Sequence, residues 1–155
     1  MMKVHRIMST PAETCTPETT LAAAARLMRD ADFGTLLVVD RQQHVAGIIT
    51  DRDLCLAFAN TSRSASEITV REVMTRRVVA VVITDDVATA LATMRRARVR
   101  RLPVLDNFGH LRGILSIEDI IVRGLETGGL DPDDIVRSLR TMYERRPLLA
   151  GPTVL

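Results

Sequence analysis

The chain has 155 residues, a formal net charge of +2, 46% apolar residues and only 3% aromatics. That length fits one ordinary domain or two small halves sharing a core, and the core has to be built from Val, Leu, Ile, Ala and Met. No apolar run approaches the roughly 18 residues of a membrane span, and the leading MMKVHRIMSTP has no signal-peptide apolar stretch, so a soluble cytoplasmic protein without membrane association is expected.

In chain order, VHRIM (4–8) reads as a short lead-in helical turn. Thr16-Pro17 is a helix-start signal, with Thr as N-cap and Pro at the first helical position. Leu21, Ala24, Ala25 and Met28 then follow at i, i+3, i+4 and i+7, one face of a helix. TLLVVD (35–40) reads as a buried strand, RQQH (41–44) as a hairpin connection, VAGIIT (45–50) as the next strand and DRDLCLAFAN (51–60) as a helix. Asn60 to Thr69, rich in Ser and Thr, suits a linker. Cys15 and Cys55 form neither a CxxC pair nor a zinc spacing, and are expected as free thiols in or near the core.

The same series then recurs at a constant offset of 66 residues (Gly47 to Gly113, Asp53 to Asp119). Met8 falls on Met74, and Leu21, Ala24, Ala25 and Met28 on Val87, Ala90, Leu91 and Met94. Leu36, Val38, Asp40, His44 and Ile48 fall on Leu102, Val104, Asp106, His110 and Ile114. No gap is needed, and the matched positions keep the same structural periods. VREVM (70–74), RLPVLD, NFGH, LRGILS and IEDIIVRGL repeat the lead-in, strand, hairpin, strand and helix, with Thr84 or Asp85 as the second helix cap.

Each half is therefore a β-α-β-β-α unit, and the fold class is α/β (α+β). One such unit cannot bury both faces of its sheet alone, so two tandem repeats packed about a pseudo-two-fold axis are expected. The division is 1–62, 63–127 and a C-terminal segment, 128–155. That segment has Gly128-Gly129 as a stop and Asp131-Pro132 as a helix start. Ile135, Val136, Leu139, Met142 and Tyr143 are placed on one face, Pro147 ends the helix, and LLAGPTVL is left loose or docked on a partner.

This pattern resembles the CBS domain, in tandem a Bateman module. The features that carry it are the Met-ended lead-in, the Ala-rich helix ending in Met28 or Met94, the LPV strand leading to Asp106, and the G-h-h-[T/S]-x-x-D series at Gly47–Asp53 and Gly113–Asp119. The resemblance covers roughly Val4 to Leu125. It implies a non-catalytic regulatory module that binds adenosine-containing ligands (AMP, ADP, ATP, NAD or S-adenosylmethionine) in two clefts between the repeats. It also implies a flat homodimer and, since no effector domain is encoded here, a separate effector protein as reader. No cofactor is required; an adenine nucleotide is the expected regulatory ligand.

In T-x-x-D, Thr50 with Asp53 and Ser116 with Asp119 first read as capping boxes. A carboxylate fixed there also accepts two hydrogen bonds from a ribose diol, while helix N–H groups favour phosphate. Arg100 and Arg101 are candidate phosphate bases, at a position where the family often places one; Arg suits phosphate because its planar fork donates in pairs. The two clefts differ in sequence. The first repeat has Gly34-Thr35 where the second has Arg100-Arg101, and it lacks Pro103, the family's usual proline. It has Arg52 as a local base, and Thr16 on the edge strand where the family contacts base and sugar; the second offers Val82 as an apolar wall. The expectation is one stronger site built from Ser116, Asp119 and Arg101, with Asp119→Ala costing more affinity than Asp53→Ala. His44 and His110, in matching loops, are expected as exposed turn residues.

Three other functional classes fit the residues less well. Eight arginines against three acids between Arg71 and Arg101 form a basic stretch that attracts anions, but the scarcity of aromatics argues against nucleic-acid binding. No nucleophile–base pair, Gly-rich phosphate loop or metal cluster is present for an enzyme. A structural dimer with empty clefts is the remaining alternative.

Overall fold

The computed structural model describes residues 1–124 and 130–144. A 3₁₀ turn at Val4–Arg6 leads into β1 (Thr14–Cys15), α1 (Leu21–Asp30), β2 (Thr35–Val39), β3 (Val45–Thr50) and α2 (Asp51–Ala59). The second series runs α3 (Val70–Val73), β4 (Val81–Val82), α4 (Val87–Ala97), β5 (Arg101–Leu105), β6 (Leu111–Ser116) and α5 (Ile117–Asp119). α5 continues as one π-helical turn, Ile120–Gly124, before α6 (Pro132–Tyr143).

Each repeat forms its own three-stranded sheet, β1-β2-β3 and β4-β5-β6, with the first pair parallel and the second antiparallel. The registers are copies: Thr35 faces Thr50 as Arg101 faces Ser116, and a bulge follows Val38 as another follows Val104. The left-handed backbone positions recur too, Asp32 with Arg98 and Gln43 with Gly109.

The contacts between repeats are reciprocal, as a two-fold axis requires. Ile48 bridges Thr75 and Ser9 bridges Ile114; Thr20 bridges Thr69 and Lys3 bridges Asp86. His44 bridges its own counterpart His110, so the axis passes between them. Their rings stack with centroids 5.2 Å apart. Both remain partly exposed turn residues as expected, but they face one another, which a reading of each loop alone does not show.

The lead-ins cross over. Val4 and Ile7 are buried with Val87, Met94 and Leu102 of the second repeat, whereas Ile68, Val70 and Met74 join Leu21, Leu36 and Ile49 of the first. Gly47 and Gly113 permit this crossing. A Cβ at Gly47 would lie 2.7 Å from Met74 Sδ and 3.0 Å from the Thr75 carbonyl oxygen; at Gly113 it would lie 2.6 Å from the Ser9 carbonyl oxygen. The repeated glycine is thus where the other repeat's lead-in touches the strand.

Several local expectations are corrected. α1 is capped by Thr20, whose Oγ1 accepts from the Ala23 N–H at 3.2 Å, not by Thr16. Thr16-Pro17 instead opens a turn, closed by the Thr19 N–H on the Thr16 carbonyl, where proline's fixed φ suits the second position. Asp86, rather than Thr84 or Asp85, is the N-cap of α4, because the Asp85 carboxylate is taken by the Val82 N–H. Cys15 is buried, which pushes its thiol up to about 11, but Cys55 is exposed on α2. On α6, Ile135, Leu139 and Met142 pack on the second core, while Val136 and Tyr143 fall on the exposed flank; an i, i+4, i+7 stripe leaves the neighbouring positions about 100° round the helix. Gly128-Gly129, Pro147 and the final LLAGPTVL lie outside the described residues. No helix among the described residues is long and apolar enough to cross a membrane.

Candidate functional site

The chain turns from β3 into α2 at Thr50, and from β6 into α5 at Ser116. Both turns close capping boxes. Thr50 donates its N–H and Oγ1 hydroxyl to Asp53 Oδ2 at 2.9 and 2.8 Å. Ser116 does the same to Asp119 Oδ2 at 2.8 and 2.6 Å. One oxygen of each carboxylate is thereby committed to the helix start.

The second oxygens differ. Asp119 Oδ1 accepts from the Ser9 hydroxyl at 3.0 Å and lies 3.2 Å from Arg123 Nη1, and its side chain is only 10% exposed. The position matching Arg123 is Ala57, and Thr75, which matches Ser9, makes no bond to Asp53. Asp53 Oδ1 therefore has no hydrogen-bond partner among the described residues, and it borders a cleft of about 1020 Å³.

That cleft is assembled across the two repeats. Thr35, Ile48, Thr50 and Asp53 come from the first repeat; Thr75, Arg77, Val78 and Val79 from the extended segment leaving the second lead-in; Ala97 to Arg101 and Pro103 from the end of α4, the turn after it and β5. Met142 and Tyr143 of α6 close one side. Arg77, Arg98, Arg100 and Arg101 line it with Asp53, Arg101 lying 3.7 Å from Glu118, so positive charge is in excess and the cleft attracts anions.

Pro103 has a particular effect here. In the first repeat the Leu37 N–H donates to the Glu13 carbonyl at 3.1 Å, extending the parallel pairing by one bond. The matching residues are Pro103 and Val79, and proline has no N–H to give. The Val79 carbonyl is left at the cleft wall without that donor, and Val78 and Val79 beside it supply apolar surface.

Of the residues expected from sequence, Thr35, Thr50, Asp53, Arg100, Arg101 and Pro103 gather in this one cleft. Ser116, Asp119, Arg52, Thr16 and Val82 do not line it. Arg52 is exposed on α2, Thr16 is engaged with Thr19, and Val82 is bound into its turn with Asp85. Arg101 lies opposite Ser116 in the sheet and its Nη2 is 3.7 Å from Glu118 Oε1, while the guanidinium is 4.9 Å from the Phe33 ring and Arg101 lines the Asp53 cleft, with Nε buried and without a hydrogen-bond partner among the described residues. Arg77, Arg98, Val79, Met142 and Tyr143 were not among the expected site residues. The available signals were the repeat offset, which pairs Val79 with Glu13 across a proline substitution, and a lone tyrosine ending an amphipathic helix. Among the described residues no group of three or more His, Cys, Asp or Glu is placed to hold a metal ion.

The CBS domain family model matches residues 4–60 and again 70–126. An uncharacterized 17.7 kDa protein of Acidianus ambivalens is 36% identical over 118 residues, 76% of this chain and 70% of that protein. Inosine-5'-monophosphate dehydrogenase of Thermoplasma acidophilum is 34% identical over 110 residues, 71% of this chain but 21% of the enzyme, so the chain spans about a fifth of that relative. Among solved structures, the CBS domain pair of protein MJ0100, in complex with 5'-methylthioadenosine and S-adenosyl-L-methionine, is 27% identical with a TM-score of 0.71, covering 84% of this chain and 99% of that one.

Proposed function

Because the chain belongs to the CBS domain family and carries that domain twice, we propose that it is a non-catalytic regulatory module whose Asp53 cleft binds a phosphorylated adenosine ligand. The observation that carries this reading is the free Oδ1 of Asp53 in a cleft ringed by Arg77, Arg98, Arg100 and Arg101. The carboxylate accepts from a ribose diol, and the guanidiniums take the phosphate that a carboxylate repels. The Val79 carbonyl accepts from the exocyclic amine of adenine, between apolar side chains.

The bound adenosine compounds in the MJ0100 pair support the ligand class. The arginine ring favours AMP, ADP, ATP or NAD over the cationic S-adenosylmethionine. The output passes to a separate effector protein through a shift between states of different ligand affinity. Assembly as a homodimer is supported by exposed apolar residues at matching places on equivalent helices, Leu56 on α2 and Val122 after α5.

The test is thermal unfolding with AMP, ATP, NAD, S-adenosylmethionine and adenosine. Ligand at about 100 times its dissociation constant adds roughly 2.7 kcal/mol of stability, and Asp53→Asn removes that gain. Absence of any shift sinks the reading.

A further inference from the structure

We propose that α6, which lies outside both CBS repeats, gives the cleft its selectivity for a phosphorylated ligand, with Tyr143 acting as the positioning residue for Arg100. This rests on the reading of the Asp53 cleft as a nucleotide site. α6 begins beyond the matched segments with its own stop-and-start signals, an Asp131 side-chain cap on the Asp133 N–H and Pro132 in the first turn. It docks along α4 through Ile135, Leu139 and Met142. That docking carries its last turn to the cleft.

Tyr143 is 61% exposed, so burial does not account for its place. Its hydroxyl accepts a hydrogen bond from Arg100 Nη1 at 3.0 Å, and the guanidinium lies 5.5 Å from the ring centroid. The backbone of Arg100 is held by the Ile117 N–H on its carbonyl. Among the described residues, Tyr143 is the hydrogen-bond partner that fixes the direction of the Arg100 side chain. A guanidinium has five N–H donors; Tyr143 uses one. The phenol accepts through oxygen and keeps its own proton to donate. Arg100 and Tyr143 therefore present a mixed donor pair on the cleft side, which favours a charged phosphate oxygen over the neutral acceptors of a nucleoside. The first repeat has no equivalent, since the position matching Arg100 is Gly34.

Binding is reciprocal. A ligand that engages the pair holds the end of α6 in place; one that does not leaves it as it was. A segment outside the ligand-binding repeats thus reports whether the bound nucleoside carries phosphate.

The experiment measures AMP and adenosine affinity by calorimetry for the wild type, Tyr143→Phe, Arg100→Ala and the double variant, all in the full chain. Tyr143→Phe keeps the ring over Arg100 and removes only the hydroxyl. AMP affinity is expected to fall about fivefold, the scale of one ordinary net hydrogen bond, since the hydroxyl acts through Arg100, with adenosine affinity unchanged. Arg100→Ala is expected to fall further, and the double variant no further than Arg100→Ala. Hydrogen exchange in 132–143 is expected to slow with AMP and not with adenosine. Equal losses for AMP and adenosine in Tyr143→Phe, or no loss for either, overturn the proposal while leaving the Asp53 cleft intact. If the wild type binds neither ligand, the nucleotide reading itself falls, a separate result.

Discussion

Asp53 and Asp119 hold the same place in the two repeats and cap the same helix in the same way. Around Asp119, Ser9 and Arg123 close on the second oxygen. Around Asp53, the counterpart of that arginine is Ala57, and the second oxygen faces a cleft instead. The repeated motif therefore describes a helix start; the residues outside it decide which copy is available to a ligand. The two repeats are equivalent scaffolds, and their neighbours differ: one carboxylate is tied on both oxygens, and the other lines the cleft proposed as the ligand site.

The largest effect that tests this comparison is on affinity. Asp53→Asn is expected to weaken AMP by about 10- to 100-fold, the range for hydrogen bonds to a charged acceptor. Asp119→Asn is expected to leave AMP affinity within about twofold but to lower unfolding free energy by about 2 kcal/mol, since a part-buried ion pair and cap are disturbed together. Calorimetry and urea unfolding on the same two variants separate the roles. Loss of binding in Asp119→Asn alone would restore the opposite ranking expected from sequence, and equal losses in the two variants would contradict both rankings.

The next contrast is between the two crossing points. Gly113→Ala places a Cβ against the Ser9 backbone, whereas Gly47→Ala meets first the flexible end of Met74. Overpacking costs about 1–3 kcal/mol, and Gly113→Ala is expected at the top of that range with Gly47→Ala at the bottom. Chemical denaturation gives both numbers. An equal cost would mean that the Thr75 carbonyl, 3.0 Å from the Gly47 Cβ position, yields no more readily than Ser9.

A smaller effect concerns the base. If the Val79 carbonyl reads the adenine amine, inosine monophosphate, with a carbonyl at that place, is expected to bind about tenfold more weakly than AMP, as an unpaired acceptor implies. Pro103→Ala supplies an N–H that can close the Val79 carbonyl as Leu37 closes Glu13, and it is expected to reduce the AMP preference over the inosine nucleotide. An unchanged preference would place the base elsewhere in the cleft.

These contrasts also show what the sequence made legible. Element order, the repeat offset, both capping boxes and the strand pairs were readable because they depend on local periods and short-range chemistry. Thr50 and Asp53 stood out through the capping box, and Arg100, Arg101 and Pro103 through the start of the LPV strand, but the repeat placed the two sets in separate clefts rather than in the one they line. What was not legible depends on crossing. The lead-ins pack on the opposite repeat, so Ser9 reaches Asp119 across 110 residues, and nothing in the local pattern of either segment states that contact. Strand register places Arg101 beside Ser116, while its long side chain lies over Phe33, a direction that register alone does not state. Tyr143 entered the site only through the docking angle of a helix whose packed face, but not whose end, follows from its apolar spacing.

The smallest expected effect compares the two hairpins on the axis. Asp106 accepts from the Phe108 and His110 N–H groups and from Arg112 Nε and Nη2, and its side chain is 13% exposed. Asp40 accepts from the Gln42 and His44 N–H groups, is 41% exposed, and has Ala46 where Arg112 would be. Burial pushes the Asp106 carboxyl up, but those donors more than offset it and hold it well below the ordinary range; the His44 N–H is the main cause of a lowered Asp40. A carboxylate lowered in the folded state contributes stability above its unfolded value, near 3.9, and loses it as pH falls through the folded one. Acid is therefore expected to cost stability from the ordinary carboxylate range downward, where the unfolded chain takes up the proton before the folded one does. Asp106→Asn flattens that acid limb more than Asp40→Asn does, and Arg112→Ala moves Asp106 toward the behaviour of Asp40. Urea unfolding stepped from neutral pH down through that range is the measurement, and identical acid limbs for Asp106→Asn and Asp40→Asn would show that Arg112 adds nothing to its hairpin.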